Sequence, residues 1–94
     1  MKSTAILINT ARGAVVESEP LAVALQEGRI AGAAVDVLPE EPPRSGNPLL
    51  DLKLPNLIIN PHVGWASRQA LATLAEEVIL NLESFVQNKP RNLV

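Results

Sequence analysis

Three apolar runs without polar alternation constrain this chain more than any other feature. They are Ala5-Ile6-Leu7-Ile8-Asn9 within residues 4–9, Ala33-Ala34-Val35-Asp36-Val37 and Leu57-Ile58-Ile59-Asn60, each about the length of a strand. A strand with one wet face alternates apolar and polar residues, whereas consecutive apolar positions mark a parallel sheet covered on both faces. The connections are too long for hairpins. The expected order is strand, helix, strand, long crossover, strand, long helix, with right-handed crossovers. The second run, Ile30 to Val37, reads as a strand buried on both faces, and its small residues Ala31, Gly32, Ala33 and Ala34 allow close packing.

Between the first two runs, Ser18 suits an N-cap, Glu19 and Pro20 a first turn, and Gly28 a C-terminal stop. The first helix is therefore expected over Glu19 to Glu27, with Leu21, Ala24 and Leu25 facing inward. Residues 39–56 hold five of the eight prolines and form a long, stiffened loop that Leu49, Leu50, Leu52 and Leu54 are placed to pin down. After Trp65 the apolar period becomes helical, and Ala70, Leu71, Leu74, Val78, Ile79, Leu82 and Phe85 form a packing stripe to about Gln87, with Pro90 as the stop. Two regions follow: 1–65, the sheet half, and 66–94, the long helix and tail.

Composition removes several classes of function. Eight basic residues are scattered along a chain of net charge −2, unlike a nucleic-acid footprint. With no cysteine and a single histidine, neither a disulfide framework nor a metal site is expected. The apolar runs are too short to span a membrane or serve as a secretory signal, so a cytoplasmic location is the default expectation. Ninety-four residues bury only about 60–65% of their unfolded surface, so the core is thin.

Each apolar run is followed by one residue of chemical interest: Arg12, Glu41 and His62. In a parallel sheet all three emerge at the carboxyl edge, where open α/β sheets bind ligands. An arginine fork for a carboxylate, an imidazole to donate a proton and a carboxylate to keep it charged are what reduction of a keto acid requires. Each also has a plainer reading. Arg12 alone is an exposed loop arginine, Glu41 sits beside Glu40 in a solvated loop, and a lone histidine after proline is often structural.

The blocks Asn9-Thr10-Ala11-Arg12-Gly13, Leu21 and Ala24-Leu25 with Gly28, Gly32-Ala33-Ala34-Val35-Asp36-Val37 with Glu41-Pro42, and Asn56 with Pro61-His62 change that balance. In order and spacing they resemble the C-terminal signatures of NAD(P)-dependent D-2-hydroxyacid dehydrogenases. The Pro61-His62-Val63-Gly64-Trp65-Ala66-Ser67 stretch is similar to that of glycerate dehydrogenase/hydroxypyruvate reductase-like, phosphoglycerate dehydrogenase-related members. The fold this implies is α/β, the second half of a Rossmann-like NAD-binding domain, followed by a long C-terminal helix leading toward a substrate domain.

The resemblance implies a catalytic set of His62 as proton donor and acceptor, Glu41 as its partner and Arg12 as the substrate-binding arginine. It places the nicotinamide carboxamide at Asp36, the nicotinamide ribose beside the turn of Thr10, Ala11 and Arg12, and the other side of the cofactor against the turn of His62 to Trp65, Gly64 included. The implied cofactor is NAD or NADP, and the implied substrate a small 2-keto or 2-hydroxy acid such as hydroxypyruvate or glyoxylate. Trp65 either packs or faces substrate.

Two other classes stay in view. The C-terminal-binding-protein corepressors resemble these enzymes and keep similar arginine, glutamate, histidine and tryptophan positions, whereas formate dehydrogenases carry glutamine where Glu41 stands. Met1-Lys2-Ser3 matches an internal stretch of the family, and the five glycines form no Gly-x-Gly-x-x-Gly turn. The chain therefore reads as the last third of a two-domain enzyme, inactive alone and exposing a strand edge that invites a homodimer or higher oligomer.

Overall fold

The computed structural model describes residues 1–93. The elements are β1 (Ile6–Asn9), a 3-10 turn (Gly13–Val15), α1 (Ser18–Gln26), β2 (Gly32–Val35), β3 (Leu57–Ile59) and α2 (Arg68–Val86). Strands β1, β2 and β3 form one parallel sheet in that order. Ile6 pairs with Gly32 and Asn9 with Val35, while Ala33 pairs with Leu57 and Val35 with Ile59. The strand ends are thus level, and the segments leaving β1, β2 and β3 emerge side by side. The chain divides into two compact units, Met1–Val63 and Gly64–Val94.

The first unit's core lies on one face of the sheet. Leu7, Ala33, Val35, Leu57 and Ile59 meet Leu21, Ala22 and Leu25 of α1 and, from the long loop, Leu49, Leu52 and Leu54. Leu49 is the most deeply buried large side chain, at 2% exposure, whereas its neighbour Leu50 points outward at 45%. The β2–β3 crossover contains no helix, and its leucines fill the layer a helix would occupy.

The opposite face corrects the expectation of a doubly covered sheet. Ile6, Ile8 and Ile58 are 66%, 69% and 60% exposed. No element of this unit packs against that face, so β1 and β3 alternate in burial although their sequences do not. Continuous apolarity reports what a strand can be buried against, not what a single chain supplies.

Helix α1 begins one residue earlier than expected. Glu17 is the N-cap, without a side-chain cap, and Ser18 lies inside the helix. Its hydroxyl instead accepts from Asn47 Nδ2 at 3.0 Å, tying the long loop to α1. Gly28 ends the helix at φ +65, with its amide on the Leu25 carbonyl and the Arg29 amide on Ala24, a Schellman closure that needs a left-handed residue.

In the second unit, Ser67 caps α2 through its hydroxyl, which accepts from the Ala70 amide at 3.0 Å. Asn88 at φ +55 closes its far end, with the Lys89 amide on Ser84, so the helix stops before Pro90 is reached. The stripe of Leu74, Val78, Ile79, Leu82 and Phe85 is exposed along its length.

Candidate active site

The carboxyl rim of the sheet is built from three loops, each tied to its neighbour by backbone hydrogen bonds. Asn9 ends β1 and is 5% exposed. Its Oδ1 accepts from the Ala11 amide at 3.2 Å and its Nδ2 donates to the Arg12 carbonyl at 2.9 Å, which sets the turn carrying Thr10, Ala11 and Arg12. This is an Asx turn, and asparagine suits it because one side chain satisfies both a donor and an acceptor. The Asn9 carbonyl accepts from the Asp36 amide at 2.9 Å, and the Val35 carbonyl from the Asn60 amide at 2.9 Å.

Glu41 lies five residues past Asp36. Its Oε1 accepts from the Leu38 amide and its Oε2 faces His62 Nδ1, both at 2.7 Å. The Leu38 hydrogen bond is the largest cause holding this carboxyl below its ordinary value, followed by the hydrogen bond and charge of His62 and the charge of Arg12; desolvation opposes them. Arg12 is exposed, and its Nη1 donates to the Ala11 carbonyl at 2.7 Å. Glu40 is engaged differently, with its Oε2 accepting from the Ser45 amide at 3.1 Å, which closes the loop on itself.

His62 sits in the left-handed region at φ +56, a conformation that costs a residue with a β-carbon about 1–2 kcal/mol. The next residue is anchored: the Val63 amide donates to Asp36 Oδ1 at 2.9 Å, and Asp36 is 4% exposed. A cavity of about 320 Å³ opens beside these groups, lined by Asp36, Leu38, Glu41, Pro42, Pro43, Asn60, Pro61 and His62. Its walls are largely proline and leucine, with the Glu41–His62 pair and Asp36 as the polar groups.

The rim therefore brings together Arg12, Asp36, Glu41 and His62, with Thr10 and Ala11 on the arginine turn. Gly64 opens the second unit. Sequence reasoning missed three supports: the Leu38 amide, the Asp36–Val63 bond and the close approach of Gly13 to the Leu38–Pro39 peptide. Only Asn9 carried a readable signal, as a polar side chain ending an apolar run.

Residues 1–64 match the family model of the D-isomer specific 2-hydroxyacid dehydrogenase, NAD binding domain. The chain belongs to this family. Among curated members, the glycerate dehydrogenase of Methylorubrum extorquens is 53% identical over all of this chain and 30% of its own length. A structure of an acyclic imino acid reductase in complex with NADPH and D-Arg superposes with a TM-score of 0.87 at 35% identity, over 100% of this chain and 29% of that one. The NADPH-dependent glyoxylate/hydroxypyruvate reductase of Sinorhizobium meliloti gives 0.73 at 37%, over 89% and 26%. The chain thus spans less than a third of the length of the relatives it matches. No helix among its described residues is long and apolar enough to cross a membrane.

Proposed function

We propose that this chain supplies the proton-transfer and carboxylate-binding groups of an NAD(P)H-dependent reductase of small 2-keto acids, with hydroxypyruvate and glyoxylate as substrates. The observation that carries this reading is the 2.7 Å contact of His62 Nδ1 with Glu41 Oε2, on the rim that also bears Arg12. With Nδ1 committed to Glu41, the ring presents Nε2 to the substrate. A carboxylate on one ring nitrogen fixes the tautomer and the orientation of the ring, so His62 is placed to pass a proton to the oxygen of a carbonyl as that carbonyl is reduced. Arg12 binds the substrate carboxylate bidentately, and its planar fork orients the keto group toward the imidazole.

The residues present fit the nicotinamide end of a dinucleotide. Asp36 is a buried carboxylate at the carboxyl end of the central strand, and it accepts hydrogen bonds as a carboxamide NH2 requires. Thr10 and Ala11 flank the ribose, and Gly64 follows on the turn after His62. When bound, NAD(P)H supplies the hydride. Residues 1–65 act as the second half of the cofactor domain, and 66–94 lead toward a substrate domain. Assembly as a homodimer or higher oligomer belongs to the same proposal, supported by the bare apolar face of Ile6, Ile8 and Ile58 and the open edge of β1.

The test is a chimera in which this chain replaces the matching 30% of the Methylorubrum extorquens enzyme. It is expected to oxidise NADH or NADPH with hydroxypyruvate or glyoxylate. His62→Ala is expected to abolish turnover while cofactor binding stays nearly intact. A folded chimera that binds cofactor but reduces neither acid, or retains its rate without His62, refutes the proposal.

A further inference from the structure

Gly13 follows Arg12 directly and is buried at the start of the 3-10 turn. A β-carbon built on it would fall deep inside the van der Waals envelope of the Leu38 carbonyl and the Pro39 nitrogen. These are backbone atoms, so no rotamer change relieves the clash. On one side of the contact, the Arg12 carbonyl is clasped by Asn9 Nδ2 at 2.9 Å and the Val15 amide at 3.1 Å, which makes the turn a stiff unit. On the other, Leu38 donates its amide to Glu41 Oε1 at 2.7 Å. Leu38 is therefore the shared joint: its carbonyl meets the arginine turn and its amide holds the carboxylate that faces His62.

We propose that Gly13 is a positioning residue: the lack of a side chain there lets the Arg12 turn seat on the Leu38–Pro39 peptide, and that seating sets the guanidinium against the Glu41–His62 pair. The proposal rests on the reading of Arg12, Glu41 and His62 as a keto-acid site. It adds that one backbone-to-backbone contact controls the spacing of two chemical groups borne on the loops that follow different strands. An added methyl group drives the two peptides apart, withdrawing Arg12 from Glu41 and pulling on the Leu38 amide together.

The test follows the Glu41 carboxyl carbon by NMR through an acid titration of the 94-residue chain, unsubstituted and as Gly13→Ala and Gly28→Ala. Gly28 is the control. It lies at φ +65 with nothing within 4 Å of an added β-carbon, so its alanine strains the backbone without touching the rim. In Gly13→Ala the Glu41 titration is expected to move up toward ordinary carboxylate values, because its two withdrawn neighbours both hold it down. In Gly28→Ala it stays in place. An unmoved titration in Gly13→Ala, or an equal movement in Gly28→Ala, overturns the proposal. Should Gly13→Ala not fold, the unsubstituted chain decides: a nuclear Overhauser contact between the Gly13 α-protons and the Pro39 δ-protons supports the seating, and its absence overturns it. None of these readouts requires turnover, so a protein that reduces no keto acid refutes the enzymatic reading separately.

Discussion

Replacing Asp36 with alanine removes the acceptor of the Val63 amide and, with it, the anchor next to a strained histidine. The left-handed backbone at His62 costs about 1–2 kcal/mol, while leaving a part-buried amide without its acceptor costs about 1–3 kcal/mol. The two are comparable, so the bond is large enough to hold the strain and its loss large enough to release it. Releasing about 2 kcal/mol shifts the balance between the paired and relaxed loop by about 30-fold. The His62–Glu41 pair then loses about that factor in population relative to the relaxed loop. The assay is the nitrogen NMR spectrum of the His62 ring, in which a carboxylate-bound Nδ1 is distinct from a solvated one. Asp36→Asn keeps an oxygen acceptor and is expected to preserve the paired signature, which Asp36→Ala loses. Equal ring spectra for Asp36→Ala and the unsubstituted chain would show that the anchor does not hold the histidine.

Adjacent leucines give a second prediction. Leu49→Ala, at 2% exposure, is expected to destabilise the first unit by about 2–5 kcal/mol in urea denaturation, whereas Leu50→Ala, at 45%, costs little; similar losses would contradict the packing described. Arg12→Lys in the chimera is expected to raise the KM for keto acid and lower kcat together, since a point charge replaces a bidentate fork; unchanged kinetics with hydroxypyruvate would remove Arg12 from the substrate site. Glu41 gives a pH dependence of definite sign. Its carboxyl is lowered in the folded chain from the ordinary 4.5, so its contribution is fully present above that value and lost as pH falls through the lower, folded one. Urea midpoints measured at falling pH are expected to decline more steeply for the unsubstituted chain than for Glu41→Gln. Parallel declines would show that Glu41 is not linked to folding.

Much of the rim was legible because it depends on strand ends. Parallel strands of similar length put whatever follows them at one edge, so the positions of Arg12, Glu41 and His62 just past the three apolar runs already imply a shared rim. Their detailed support was not legible. The Leu38 amide is a backbone group without a compositional mark, and the Asp36–Val63 bond joins residues 27 positions apart. Local chemistry misled at Ser18, where a good capping residue sits inside the helix because Asn47 recruits its hydroxyl. It misled also at the sheet's second face, since apolar Ile6 and Ile8 record a capacity for burial that the unit itself does not use. Asn88, rather than Pro90, ends α2 because an asparagine tolerates the left-handed residue a Schellman closure needs.

The connection from β2 to β3 has two duties at opposite ends of one tether. Near its start it carries the acid that meets the imidazole; further on, its leucines plug the interior beneath α1. The proposed site and the packing of the first unit consequently share a single strip of covalent chain. Heat, chaotrope or a protease nick within residues 43–48 is expected to erode both at once, so that the Glu41–His62 pair is lost with melting and not before it.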